Sequence, residues 1–575
     1  MKETVGLAWL WGSIRMPLLF LVLTVTALDM LTTPTDWRFL VFGYFAFNAI
    51  PVILFFALIF AVTRNPKFST IITGLFCGVI YLANYSLFLY WDSYLVPAHF
   101  QLAVADLKVT ELVFTNLNFP LFLTATVIIG TAVGTSLALV GLSKTRKGEL
   151  AFPLRLRVAV VLAVGVAVLA LNFGKDGAAA AMRGMKMEPH DWDMAEQLKY
   201  GLFNHLYLTA VRPGLFESML EGNPSGILEY VGRQPVPVRD GGSAPPNVVA
   251  VLAESMIDPL SLRAEFHADP LAGLRAEAIE NRAGGLTRVH IVGGGTWMSE
   301  YTFLTGIPGP LFSTTGPRPF SLADGNTWTL ARAFRDLGYK TVALYGARKD
   351  YIFDARATYL DLGFDRFLDF EDIGVRYGTA DGTADGKVLN AIDRILREET
   401  GPTFIFAVSY DLHMPYANKG NALFVDESVG TPAMQEYFRR QSVFSAKMSK
   451  FIDEQDGKGT PLLVAMFGDH IPPMPRDFEE VGFHENVRDP LYRTPYLLHS
   501  TFGPVNTGLP ELDLSYLAGM VLDQAQVDGG EYFRVNSAIR ELCRGRFVHC
   551  DAAPDLLLSY YAYLGSNIAT AAKAN

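Results

Sequence analysis

The sequence predicts a two-part protein: a multi-pass α-helical membrane domain of about five helices, then an α/β domain with a mostly parallel central sheet covered by helices. Three observations carry this. Apolar residues, 50% of the 575, crowd the first third of the chain. Beyond it, apolar runs of strand length alternate with helix-like segments, and the carboxyl ends of those runs carry reactive side chains.

Four early stretches are long and uncharged enough to cross a bilayer or nearly so: Phe39 to Thr63, Ser69 to Trp91, Phe119 to Leu142 and Val158 to Gly174. A fifth, Met16 to Leu28, is short, and Trp9, Trp11 and Ile14 extend it. It does not read as a cleaved signal peptide, because no small-residue cleavage site follows and more apolar spans come at once. Basic residues set the orientation. Lys2, Arg15, Arg64, Lys67, Lys144, Arg146, Lys147, Arg155 and Arg157 fall on one side of this arrangement, against Arg38 and Lys108 on the other. The N-terminus is therefore expected in the cytoplasm and the chain beyond Lys175 outside it.

The expected division is a transmembrane domain over 1–175, juxtamembrane helices and a linker over 176–245, and an extracytoplasmic catalytic domain over 246–575. Helical spacing between Met194 and Leu208 suits a helix lying along the bilayer, and Pro and Gly between Gly232 and Pro246 suit a linker. The outer part, about 400 residues, is large enough to bury its own core. A formal charge of -10, with no basic cluster beyond the cytoplasmic loops, argues against nucleic acid as a partner. Of three cysteines, Cys77 falls in a span. Cys543 and Cys550 are near neighbours, and a disulfide or two buried thiols both suit them.

In the outer part, a helix over Thr327 to Leu337 precedes a strand Lys340 to Tyr345, and a helix over Gly386 to Arg397 precedes a strand Thr403 to Val408. Asn247 to Ala253, Thr287 to Val292 and Leu462 to Phe467 read as further strands. Sheets of this kind bind ligands beyond the carboxyl ends of their strands. There stand Glu254, Thr296 after Gly293-Gly294-Gly295, the turn Tyr345 to Arg348, Asp411-Leu412-His413, and Asp469-His470. Glu254, Thr296, Asp469 and His470 converging on one spot would ligate a divalent cation through three oxygens and a nitrogen. Such an ion lowers the pKa of the Thr296 hydroxyl, which could then attack phosphorus or sulfur. Each residue has an ordinary alternative: a common Gly-rich turn, a capping Asp469, a solvated or N-capping Glu254. Their joint occurrence at strand ends favours the metal site.

These residues lie in blocks that resemble the lipoteichoic acid synthase-like branch of the alkaline phosphatase and sulfatase superfamily, which includes phosphoglycerol transferases acting on periplasmic glucans. The blocks are Pro246 to Ser255, Gly293 to Thr296 with Glu300 and Leu304-Thr305-Gly306, Tyr359 to Asp365, Asp411 to Tyr416, Phe467 to Pro472 and Thr494 to Leu498. The resemblance implies an alkaline-phosphatase/sulfatase-like fold, with Glu254, Thr296, Asp469 and His470 as metal ligands and Thr296 as nucleophile. It implies that His413 and Arg356 contact the substrate's phosphoglycerol group. A surface ion pair of Arg356 with Asp354 or Asp361, and a buried-loop role for His413, stay open. Glu300 is expected to orient the Thr296 turn, and Tyr345 stands where the family often has His.

The expected protein is a multi-pass enzyme of the bacterial inner membrane with its catalytic domain in the periplasm. It would use one divalent ion, manganese first and zinc or magnesium as alternatives. It would move phosphoglycerol from a phospholipid donor, phosphatidylglycerol, to a hydroxyl of an envelope glycan or polymer through a phospho-threonine. The alternatives are phosphoethanolamine transfer, a metal-dependent phosphodiesterase or sulfatase, and a silent envelope protein that binds lipid or glycan. No C/S-x-P-x-R segment of the sulfatase kind surrounds Thr296.

Overall fold

The computed structural model describes residues 7–33, 44–91, 94–96, 154–173, 200–207, 209, 222–233, 244–275, 280–311, 328–345, 355–375, 383–416, 430–505, 511–548 and 550–572. The chain divides into two compact units, Met1–Ser218 and Met219–Asn575.

The first unit holds α1 (Leu7–Thr32), α2 (Tyr44–Thr63), α3 (Pro66–Trp91) and α4 (Leu154–Phe173). Leu28, Phe56 and Tyr81 are buried among them, while Val62, Val79, Leu162 and Val166 face outward. An apolar exterior of this kind suits lipid. Ile14–Thr32 and Pro66–Leu87 are long and apolar enough to cross a membrane, and Phe47–Thr63 and Arg157–Val166 are shorter apolar helices. The expectation of about five spans is thus met only in part, and the span from Phe119 to Leu142 lies outside the described residues.

One polar knot ties this unit together. The Asp29 carboxylate accepts hydrogen bonds from Tyr81 Oη at 2.6 Å, from the Leu202 backbone N–H at 2.9 Å and from Asn48 Nδ2. Asn48 Oδ1 in turn accepts from Asn204 N at 2.9 Å. Inside an apolar bundle these partners are what permit a buried carboxylate. Elsewhere, Arg157 at the start of α4 donates to the carbonyls of Ala61 and Val62 at the end of α2.

The second unit begins with α5 (Ser225–Gly232) and is built on an eight-stranded sheet. Its strands are β1 (Asn247–Ala253), β2 (Arg282–Arg288), β3 (Lys340–Tyr345), β4 (Arg366–Leu368), β5 (Thr403–Val408), β6 (Leu462–Gly468), β7 (Arg493–Ser500) and β8 (Glu511–Asp513). They lie in the order β4-β3-β5-β1-β6-β7-β2-β8. All the pairings are parallel except those of β7 with β6 and β2, so the mostly parallel sheet is as predicted. Past their first residues the central strands β1, β5 and β6 are apolar and buried, as strands covered on both faces must be.

The cover is α6 (Thr296–Thr305), α7 (Leu330–Asp336), α8 (Ala355–Asp361), α9 (Ala384–Glu398), α10 (Pro432–Asp456), α11 (Pro475–Val481), α12 (Leu517–Gln524), α13 (Gly530–Leu542) and α14 (Pro554–Ala572). Helix α9 buries Val388, Ile392 and Ile395, the three-and-four spacing of one helical face. Helix α7 starts at Leu330, later than the Thr327 expected, because the Thr329 hydroxyl accepts from Arg332 N and caps it there. Cys543 and Cys550 are joined as a disulfide, which settles the alternative left open by the sequence.

One strand differs in a way that bears on the site. The run Thr287 to Val292 was expected to be strand up to the glycines, but β2 ends at Arg288. Residues 289–295 form an irregular loop, and Thr296 is the first residue of α6. The strand ends where both of its partners give out: β7 begins at Arg493 and β8 ends at Asp513, each opposite Arg288.

Candidate metal centre

Strands β1 and β6 are parallel neighbours, in register from Asn247 with Leu462 to Ala253 with Gly468. The residues that follow, Glu254 and Asp469, therefore emerge side by side at the carboxyl edge of the sheet. A Cβ on Gly468 would fall 2.8 Å from Thr494 Cβ and 3.0 Å from Met256 Cβ, so only glycine allows this close approach.

Helix α6 brings its first residue to the same edge. Ser299, one turn along, donates from Oγ to the Asp469 carbonyl at 2.6 Å and fastens the helix to the end of β6. Thr296 Oγ1 then lies 3.2 Å from Glu254 Oε2 and 3.4 Å from His470 Nε2. His470 Nε2 lies 3.1 Å from Asp469 Oδ2 and 3.6 Å from Glu254 Oε1. Glu254, Asp469 and His470 can each offer a ligand atom within 4.8 Å of the others. The structure thus brings all four predicted residues together, with Glu254, Asp469 and His470 buried and Thr296 half-buried.

The hydrogen bonds sort the atoms. His470 Nδ1 is 2.7 Å from the Ile471 carbonyl, which can only accept, so Nδ1 carries hydrogen and a neutral ring turns the Nε2 lone pair toward the cluster. Asp469 Oδ1 accepts from the backbone N–H groups of Ser255 and His470 at 2.7 and 2.8 Å, while Oδ2 faces the cluster. The turn-capping and cluster readings of Asp469 both hold, one oxygen each. Glu254 accepts from Ser255 Oγ at 2.9 Å, and its N–H is held by Ser409 Oγ at 2.9 Å. One proton on Nε2 would satisfy one of the facing contacts. A cation satisfies all four groups, so the donor set fits a divalent ion.

The electrostatics agree. Burial, with the charge of Glu254 next, pushes the Asp469 carboxyl above its ordinary range. A dication would reverse that cost. Glu300, also buried, is pushed up to about 8 by burial, to which the Asp469 and Glu254 charges add. Its Oε2 accepts from Tyr359 Oη, which ties α6 to α8.

Of the two expected substrate residues, His413 follows β5 and Arg356 lies on α8. His413 is half-buried, stacked on Tyr410 with ring centroids 5.7 Å apart, and its Nδ1 lies 2.7 Å from the Met414 carbonyl. Arg356 is exposed on α8, 3.5 Å from Asp372 and over the Phe367 ring. Its ion-pair partner among the described residues is Asp372, and Asp354, one of the two partners weighed from the sequence, lies outside them. Tyr345 packs against Tyr359 and Phe367, and the turn that follows it lies outside the described residues. Ser255, Ser299 and Ser409 were not anticipated as functional residues. A hydroxyl within two residues of a strand's end, at 255 after β1 and 409 after β5, was the available signal.

Residues 246–527 match the family model described as Sulfatase. A Rhizobium meliloti (strain 1021) protein named for cyclic beta-1,2-glucan modification is 22% identical over 359 residues, which are 59% of this chain and 55% of that one. The chain spans at most 66% of the length of the first curated relatives it matches. Among solved structures, the Streptococcus pyogenes phosphoglycerol transferase GacH, in complex with sn-glycerol-1-phosphate, aligns with TM-score 0.47 at 17% identity, over 62% of this chain and 92% of that one. The integral membrane lipooligosaccharide phosphoethanolamine transferase A of Neisseria meningitidis aligns with TM-score 0.48 at 12% identity, over 90% and 97%.

Proposed function

We propose, from the premise that this chain carries a sulfatase-family domain over residues 246–527, that it is a membrane-anchored, metal-dependent phosphotransferase. It moves phosphoglycerol from a phospholipid, phosphatidylglycerol, to a hydroxyl of an envelope glycan or polymer. The observation that carries this reading is the Thr296 hydroxyl, within 3.2 Å of Glu254 and 3.4 Å of His470 and set at the first position of a helix. A nucleophile needs such a place, and the free N–H groups of a helix start suit an incoming phosphate.

Glu254, Thr296, Asp469 and His470 would hold the ion, which when bound lowers the hydroxyl's pKa and offsets the charge of the phosphodiester. Thr296 Oγ forms a bond to the donor phosphorus as the bond from phosphorus to the diacylglycerol oxygen breaks. Diacylglycerol leaves with a proton, and phosphoglycerol stays on Thr296. An acceptor hydroxyl then attacks the same phosphorus, and the Thr296 oxygen departs and regains its proton. His413 and Arg356 are assigned to the phosphoglycerol group, and manganese is the preferred ion.

The anchor is assigned to residues 1–175, the juxtamembrane helices and linker to 176–245 and the catalytic domain, in the periplasm, to 246–575. The bundle supports an odd number of crossings. Asp29 near the end of α1, Asn48 near the start of α2 and Tyr81 in the second half of α3 meet at one end, together with Leu202. Arg157 at the start of α4 meets the end of α2, at the other end. Helix α3 thus ends at the first end and α4 begins at the second, which suits the span predicted from Phe119 to Leu142, a stretch outside the described residues.

The testing experiment is intact mass spectrometry after incubation with donor lipid and no acceptor. A glycerophosphoryl adduct on the Thr296 peptide is expected, an ethanolamine phosphate adduct would change the head group, and an unmodified Thr296 in a turning-over enzyme would sink the scheme.

A further inference from the structure

The nucleophile follows an irregular loop that ends in three glycines. Between the end of β2 at Arg288 and the start of α6 lie Val289 to Gly295, closing with three glycines, of which Gly293 and Gly295 have φ of 68° and 87°. Glycine permits this path but leaves the loop many others, so a fixed position for Thr296 must be imposed from outside. Downstream, Ser299 supplies one tether at the Asp469 carbonyl. Upstream, Val289 and Val292 are buried and the Val289 N–H donates to the Tyr492 carbonyl at 3.0 Å, while His290 supplies the polar side-chain tether.

His290 Nε2 lies 3.2 Å from Asp513 Oδ1 and 3.1 Å from Oδ2. Asp513 closes β8, the edge strand beside β2, and is 1% exposed. It is itself tightly held. Its Oδ1 accepts from Ser515 N at 3.1 Å and Ser515 Oγ at 2.8 Å, and its N–H donates at 2.7 Å to the carbonyl of Gly545, in the loop closed by the Cys543–Cys550 disulfide. Burial opposes its charge, but His290 and Ser515 outweigh burial and hold the carboxyl below its ordinary range. Gly309 also stands against this side chain, where a Cβ would fall 2.9 to 3.1 Å from His290 Cβ, Cδ2 and Cγ. The imidazole is thus held by a fixed carboxylate in a gap that only glycine leaves open.

We propose that His290 and Asp513 are a positioning pair, distinct from the metal ligands, that sets the upstream end of the nucleophile loop and so the place of the Thr296 hydroxyl. The catalytic part of this inference rests on Thr296 being the nucleophile. The pair touches neither the cluster nor, in the scheme above, the substrate, and it acts through six residues of backbone. Loss of an ion pair that merely stabilised the domain would lower the melting temperature without singling out this loop.

Hydrogen–deuterium exchange on the full-length protein reads the pair directly, independent of turnover. His290→Ala and Asp513→Asn should speed exchange in the 289–296 peptide about tenfold or more, with peptides of β1 and β6 unchanged. His290→Gln places an N–H where Nε2 stood and should stay near the wild-type rate. Gly309→Ala, which alters no polar group, should speed the same peptide by crowding the ring. With donor lipid, His290→Ala should lower kcat by about ten- to a hundredfold and leave KM within about twofold. Unchanged exchange in His290→Ala, or a His290→Gln protein as loose as His290→Ala, overturns the pairing. A wild-type protein that turns over no donor lipid sinks the proposed function, while the exchange data still decide the pair.

Discussion

His470 Nε2 stands 3.1 Å from Asp469 Oδ2 while Nδ1 of the same ring is committed to the Ile471 carbonyl. A lone pair therefore faces a carboxylate oxygen, with Glu254 and Thr296 completing the ring of donors.

That relationship predicts cation-dependent stability. Adding manganese to chelator-stripped protein should raise the melting temperature of the outer domain by several degrees, since saturation at 100 times Kd is worth about 2.7 kcal/mol. Asp469→Asn and Glu254→Gln should each remove most of the shift in a thermal unfolding assay. A full shift in both variants would place the ion elsewhere.

Thr296→Ala should abolish transfer and donor hydrolysis together, because in the proposed scheme both pass through one phospho-threonine. The protein should stay folded, since a half-buried methyl and hydroxyl contribute on the order of 1 kcal/mol or less. Thr296→Ser keeps the oxygen and should retain part of the activity. Steady-state kinetics with circular dichroism separates lost chemistry from lost fold, and an active Thr296→Ala enzyme would falsify the nucleophile assignment.

Asp385 and Asp411 cap each other across the end of β5 and the start of α9. Asp385 Oδ1 accepts from Tyr410 and Asp411 N–H, and Asp411 accepts from Ala384 and Asp385 N–H. Burial, with the charge of Asp411 next, raises the Asp385 carboxyl above its ordinary range. A raised acid favours the folded state while protonated, so that stability is present below the unfolded pKa and is lost as pH rises through the folded one. Asp385→Asn should remove the loss, making the variant relatively more stable as pH rises above the ordinary carboxylate range, by on the order of 1 kcal/mol per pH unit. Urea unfolding at acid and neutral pH checks the sign, and equal effects at both would refute it.

The bundle predicts where its ends face. In a Cys77→Ala background, Thr33→Cys at the end of α1 should react with a membrane-impermeant maleimide from outside intact spheroplasts, and Asn65→Cys between α2 and α3 should not. The reverse labelling pattern would invert the orientation of the whole chain.

By itself the sequence determined the order of parts and the chemistry available. Long uncharged runs sort into a bilayer-suited region because water-free surroundings tolerate nothing else, and apolar strand-length runs between helices have few ways to pack other than a parallel sheet. Glu254, Thr296 and Asp469-His470 could be singled out because strand ends are where such sheets place ligands. Periodicity carries no information on lateral order, so only the tertiary structure set β1 beside β6 and brought residues 254 and 469 into one cluster. Nor could local pattern see that β2 stops at Arg288, since the stop depends on where its partners β7 and β8 give out. The same holds for Arg356 and Asp372, for Tyr359 and Glu300, and for His290 and Asp513. The last pair are 223 residues apart and meet only because two strands distant in the chain share one end of a sheet.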